Sequence, residues 1–118
     1  VDVRISESRN RILVALEGDL VSEACARFRD ETLKRLRAKE KRCETVWVDL
    51  GRVTLIDSVG LGVLMGLKMT CRQHRARLVL VDPSQQTLSA LDAVGFAELF
   101  DIVSIDEAAR QAPDLFAR

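Results

Sequence analysis

The chain has 118 residues, of which 47% are apolar and 31% charged, the proportions of an ordinary globular domain. Eighteen basic and eighteen acidic side chains cancel, which argues against a nucleic-acid binder, whose footprint is a clear basic excess. No apolar run approaches the roughly 18 residues needed to span a membrane, no secretory signal pattern is present, and the length suits one domain over residues 1–118.

Val3–Ser6 is a short strand candidate, and Arg11–Glu17 a buried strand with a continuous apolar centre from Ile12 to Leu16. The polar Glu7–Asn10 between them suggests a hairpin, and Gly18 turns the chain. Ser22 is a helix N-cap candidate. Cys25, Phe28, Thr32 and Leu36, with Leu33 beside them, give an amphipathic helix of about five turns. Its later half is basic: Lys34, Arg35, Arg37, Lys39, Lys41 and Arg42. Cations at a helix C-terminus are favourable, and no aromatic residue interleaves them, so a solvated end fits better than a nucleic-acid patch.

Glu44–Leu50 is a second buried strand, which Gly51 is expected to end. A helix follows over about 58–73. Arg77–Val81 is a third core strand, Ser84 caps a helix to about Ala93, Gly95 stops it, and Leu99–Val103 is the last strand. Asp106–Gln111 is a short helix, with a frayed tail from about residue 112. This alternation predicts an α/β fold: a single mixed sheet of about five strands, with a parallel core and an antiparallel edge, flanked by about four helices.

Cys25, Cys43 and Cys71 are odd in number and far apart, with no C-x-x-C spacing. That disfavours a disulfide framework or a metal site and points to reduced thiols in a cytoplasmic protein, with Cys25 and Cys71 in the core. The single histidine, His74, has no partner for catalysis and reads as a helix-end residue.

Residues 54–66, TLIDSVGLGVLMG, raise a different question, because Gly60 and Gly62 sit where a helix begins. One reading is that Ser58 caps the helix and Asp57 complements its dipole. The other is that the glycines bare the first turn for another molecule. On that reading the all-round apolar turn of Leu61, Val63, Leu64, Met65 and Leu67 leaves an exposed patch, and the hydroxyl of Ser58 lies where a phosphate would be well received. The stretch is not a G-x-x-x-x-G-K-[ST] loop, a G-x-G-x-x-G turn or a G-x-S-x-G elbow. With one histidine and no acid–base constellation, an enzyme is not expected.

Asp57-Ser58-Val59-Gly60-Leu61-Gly62 resembles the D-S-[ST]-G-[LIV]-G signature of STAS domains of the anti-sigma factor antagonist type. Gly18-Asp19-Leu20, Trp47-Val48-Asp49-Leu50, Leu78 to Val81 and Val94-Gly95-Phe96 fit the same family in order along nearly the whole chain. The resemblance implies a binding module for an anti-sigma factor that is itself an ATPase-type serine kinase. Ser58 would be the phosphorylated residue, the ATP would belong to the partner, and the module would need no cofactor of its own. It places the partner surface on Asp19, Leu20 and Ser22 at a strand end, on Asp57 to Gly62, and on Leu64 and Met65. Two positions depart from the pattern: Val59 replaces the second hydroxyl residue, and Val21 stands where the family has an aspartate. STAS-like modules that act unmodified, as scaffolds or accessory subunits of signalling or transport complexes, are the alternative.

Overall fold

A computed structural model describes residues 1–38 and 42–116. Five strands form one sheet: β1 (Asp2–Ser8), β2 (Arg11–Leu20), β3 (Thr45–Ile56), β4 (Arg77–Val81) and β5 (Asp101–Val103). Four α-helices accompany them: α1 (Ala24–Ala38), α2 (Ser58–Gln73), α3 (Gln85–Ala93) and α4 (Ile105–Gln111). The spatial order follows the sequence, with β1 antiparallel to β2 and the remaining pairs parallel, as the alternation predicts. The hairpin is closed by Arg9 and Asn10, both at positive φ (50° and 65°).

Alternation along the strands divides the core. Ile12, Val14 and Leu16 of β2 and Val46, Val48 and Leu50 of β3 point to one face, where α1, α2 and α3 cover them. Leu13, Trp47, Val79 and Val81 point to the other, under α4 and the C-terminal segment. Three crossover helices on one side of a sheet in order 1-2-3-4-5 is what a uniform right-handed crossover requires. The continuously apolar strands thus have a cover for both faces.

Several boundaries differ from expectation. β3 does not end at Gly51 but runs to Ile56, because β2 also continues past Gly18 to Leu20 and gives it a partner. Register shifts between Ala15 and Glu17 and between Gly18 and Asp19 absorb the irregularity. The last strand is shorter than 99–103, since Ala97–Leu99 forms a 3-10 turn. The segment after residue 112 does not fray within the described residues: Ala112 and Phe116 are buried, and Phe116 meets Trp47 edge-on at 5.6 Å. Asp114 ties this segment to the hairpin through Arg11 (2.7 Å) and Ser8. Helix α1 is shorter than five turns, and Lys39 and Lys41 of its expected basic end lie outside the described residues.

The three cysteines are free and buried. Burial raises the thiol pKa of Cys25 and pushes that of Cys71 up to about 12, which leaves both unreactive. His74 is the C-cap of α2.

Candidate functional site

The parallel strands β2 and β3 end side by side, Leu20 against Ile56. Both chains then turn away from the sheet, β2 into the 21–23 loop before α1 and β3 through Asp57 into α2. The functional candidates collect at this corner.

Asp57 organises it. The cap of α2 is Asp57 rather than Ser58: its backbone is extended (φ −108°, ψ −176°) and Oδ1 accepts from the Gly60 amide at 2.9 Å. Its other oxygen, Oδ2, accepts from both the amide (3.0 Å) and the hydroxyl (3.2 Å) of Ser22. One carboxylate therefore clamps the loop before α1 to the first turn of α2. The Gly60 amide above all holds the Asp57 carboxyl below its usual pKa; desolvation, next in size, opposes it, and the Ser22 amide and hydroxyl and the Val59 amide add to the lowering. Ser22 adopts φ +43° to reach it and thus serves the α2 cap, not its own helix. The sequence ranks serine and aspartate equally as caps, so only the extended backbone at 57 decides between them.

Ser58, at the first position of α2, is exposed, and its hydroxyl makes no hydrogen bond among the described residues. The first-turn amides are partly committed: Gly60 donates to Asp57 Oδ1, and Leu61 donates to the Asp57 carbonyl at 3.0 Å. A phosphate on Ser58 would therefore sit beside an anion that already uses the helix end, which corrects the expectation of a vacant phosphate cradle.

The glycines have separate reasons. A Cβ on Gly60 would lie 2.4 Å from the Leu20 carbonyl oxygen and 2.8 Å from Ile56 Cγ1. This glycine lets α2 close onto the strand ends, and its role is internal packing rather than access for another molecule. A Cβ on Gly62 or Gly66 would meet nothing within 4 Å.

The apolar turn is largely core. Leu61 (7% exposed), Leu64 (0%), Val63 and Leu67 are buried, and Met65 is half-buried against the same cluster. Leu61 and Leu64 thus support the corner from beneath and do not form an exposed patch, because α1 and the sheet enclose more of α2 than one sheet face could. The exposed apolar groups nearest Ser58 in the chain are Val59 (47%) and, near the end of β3, Leu55 (52%). Leu55 escaped the sequence reading because β3 was expected to stop at Gly51, although the β-branched Val53, Thr54 and Ile56 marked its continuation. Asp19 lies opposite Leu55 and accepts from the Thr54 hydroxyl at 2.6 Å; Val21 is half-buried in the adjoining loop. Asp19, Leu20, Ser22 and residues 57–60 are therefore brought together, Leu61 and Leu64 lie beneath them, and Gly62 and Met65 continue along α2.

Among the described residues no cluster of ligating side chains could hold a metal ion, and no helix is long and apolar enough to cross a membrane. The corner presents an exposed hydroxyl, a hydrogen-bonded carboxylate and the exposed Val59 and Leu55 side chains.

The family model described as Mlab, STAS domain matches residues 3–104. The anti-sigma-B factor antagonist of Listeria monocytogenes is 30% identical over 59 residues, which is 50% of this chain and 52% of that protein. The match thus spans about half the length of the Listeria relative. BtrV of Bordetella bronchiseptica, by its name in the same antagonist class, is 28% identical over 101 residues, 86% of this chain and 84% of that protein. Among solved structures, the unphosphorylated anti-sigma factor antagonist SpoIIAA superposes with a TM-score of 0.78 at 18% identity, covering 96% of this chain and 97% of that one. A sulfate transporter family protein from Wolinella succinogenes superposes at 0.72 and 22% identity, over 91% of this chain and 87% of that one. At such identities the structural likeness speaks for the fold alone. The family match over residues 3–104, together with this sheet order, leads to one conclusion: the chain belongs to the non-enzymatic STAS domain family and is related, at low identity, to its anti-sigma factor antagonists.

Proposed function

We propose that the chain is a reversible protein-binding module of the antagonist type. Its corner around Ser58 docks on an anti-sigma factor that is also an ATP-dependent serine kinase, and phosphorylation of Ser58 ends the complex. The carrying observation is the exposed, unbonded Ser58 hydroxyl, which follows the Asp57 carboxylate that caps α2 and precedes the exposed Val59. Asp19, Ser22, Gly62 and Met65 complete the docking surface, and the buried Leu20, Gly60, Leu61 and Leu64 set its shape from below.

The electrostatics support a switch. A phosphoserine adds 1.5 to 2 negative charges near neutral pH. Here the charge would arise next to the Asp57 carboxylate, on a surface that must lose water to bind. Burying it without a matched cation weakens docking, while α2 itself need not move.

The test is incubation with the anti-sigma factor kinase of the source cell and ATP, followed by intact-mass and peptide mapping. The expected result is one added phosphate on Ser58, absent from Ser58→Ala. An unmodified protein that still holds its partner stably would instead support the accessory-subunit reading. That reading has Val21 in its favour, which leaves the end of β2 without the carboxylate of the signature it resembles.

A further inference from the structure

We propose that the outer edge of β1 pairs with the same edge of a second copy of the chain, joining two sheets antiparallel about Val3. β1 is an end strand of the sheet, and no described strand pairs with its outer side. Arg9 and Asn10, both at positive φ, make the two-residue turn that sets Ser8 and Arg11 as a hydrogen-bonded pair. Alternation then turns the amide and carbonyl of Ser6, Arg4 and Asp2 toward β2, and those of Val3 and Ile5 away from the sheet. Such outward groups are a template for another strand.

The side chains along this edge carry a pattern that a single chain leaves unused. Val1, Val3 and Ile5 are only half-buried against the core on the helix-covered face. Asp2 and Arg4 are exposed on the other face. Asp2 lies directly across from Glu17, a second carboxylate, and has no ion-pair partner among the described residues. Like charges so placed repel. Arg4 approaches Glu17 only to 3.6 Å with its side chain 73% exposed, and Arg52 comes within 3.8 Å of the same carboxylate oxygen. Arg4 is therefore not the only cation beside Glu17, and Asp2 lacks one.

Register and charge together name the occupant. Outward backbone groups must meet outward backbone groups, so Val3 and Ile5 can lie opposite only odd-numbered residues of a copy. With Val3 opposite Val3, Val1 meets Ile5 and Asp2 meets Arg4, and the two-fold axis repeats each pair. Asp2 and Arg4 then occupy the close, non-hydrogen-bonded positions, where facing side chains interact most. Sliding the copy by two residues sets Arg4 against Arg4 in one direction and Asp2 against Asp2 in the other. Charges on an edge strand ordinarily block pairing. The order Asp2-Val3-Arg4 blocks the neighbouring registers and admits one, which only a strand of the same sequence run antiparallel satisfies at both ends.

β2 lies between this edge and β3, the strand that leads to Ser58, so the pairing stands apart from the switch. The experiment is sedimentation equilibrium of the full chain over a concentration series reaching about 1 mM, so that a dimer with a Kd of that order is seen. A dimer is expected, with the Val3 and Ile5 amides exchanging more slowly as it fills. Arg4→Asp and, separately, Asp2→Arg should each self-associate at least about tenfold more weakly, because like charges then face each other at both pairs. Both residues are exposed, so each variant should keep the circular dichroism of the parent. Mixed in equal amounts, the two variants should associate like the parent, since every facing pair is then opposite in charge. Ser58→Ala should also associate like the parent. A monomer at every concentration, undiminished association of either single variant, a mixture that stays monomeric, or a dimer that leaves Val3 and Ile5 exchange unchanged would overturn the proposal.

Discussion

Substituting alanine at Gly60 and, separately, at Gly62 tests the packing account, because the two glycines lie two residues apart in one helix and meet opposite surroundings. In Gly60→Ala the new methyl carbon would fall 2.4 Å from the Leu20 carbonyl oxygen, below the 3.0 Å that Cβ contacts essentially never breach. The obstacle is the backbone of β2, not the end of a flexible side chain, so α2 must back away by at least about 0.6 Å. Overpacking of this kind costs typically 1–3 kcal/mol, against up to about 1 kcal/mol gained in helix propensity. A net loss of about 1–2 kcal/mol follows, and the Ser22–Asp57 clamp at the same corner should loosen with it. In Gly62→Ala nothing lies within 4 Å, so the propensity gain of about 0.5–1 kcal/mol stands alone. Urea denaturation monitored by far-UV circular dichroism measures both, with unchanged m-values showing that stability alone has moved. If Gly60→Ala were as stable as the parent, or Gly62→Ala lost as much as Gly60→Ala, the assignment of one glycine to internal packing and the other to open surface would be wrong.

Further outcomes follow from the same corner. Asp57 has a lowered folded pKa, so its contribution to stability is complete above the ordinary carboxylate pKa of about 4 and fades as pH falls through the folded value. The gap in urea midpoint between the parent and Asp57→Asn should accordingly be widest above pH 4 and narrow below it; a gap independent of pH would remove the electrostatic part of the clamp. Leu64→Ala opens a cavity at a fully buried position and should cost about 2–5 kcal/mol in the same assay. Leu61→Asp buries a carboxylate and should abolish cooperative unfolding; a folded Leu61→Asp would mean that this side chain belongs to the surface after all.

Most of the fold was legible because its signals are local. The apolar centres of β2, β3 and β4, the heptad-like spacing of Cys25, Phe28, Thr32 and Leu36, and the Ser84 cap each follow from periodicity or turn chemistry. What escaped depended on pairing. Gly51 looks like a terminator, yet its amide is satisfied by Asp49 Oδ1 at 2.9 Å and the strand runs on because β2 lies beside it. The chemistry of the site was legible as a set of residue types, since Asp57, Ser58 and the glycines form one contiguous run. Their division of labour was not. Whether a glycine meets a carbonyl or open space, and whether a leucine faces the sheet or solvent, depends on Leu20 and Ile56, which only the folded chain brings to Gly60.

The central claim is that negative charge at Ser58 reverses docking. Titration calorimetry of the anti-sigma factor kinase with the unmodified and the Ser58-phosphorylated protein tests it most directly. The account predicts that the phosphorylated form binds at least about tenfold more weakly, a difference of roughly 1.4 kcal/mol or more. Equal affinity of the two forms would contradict it.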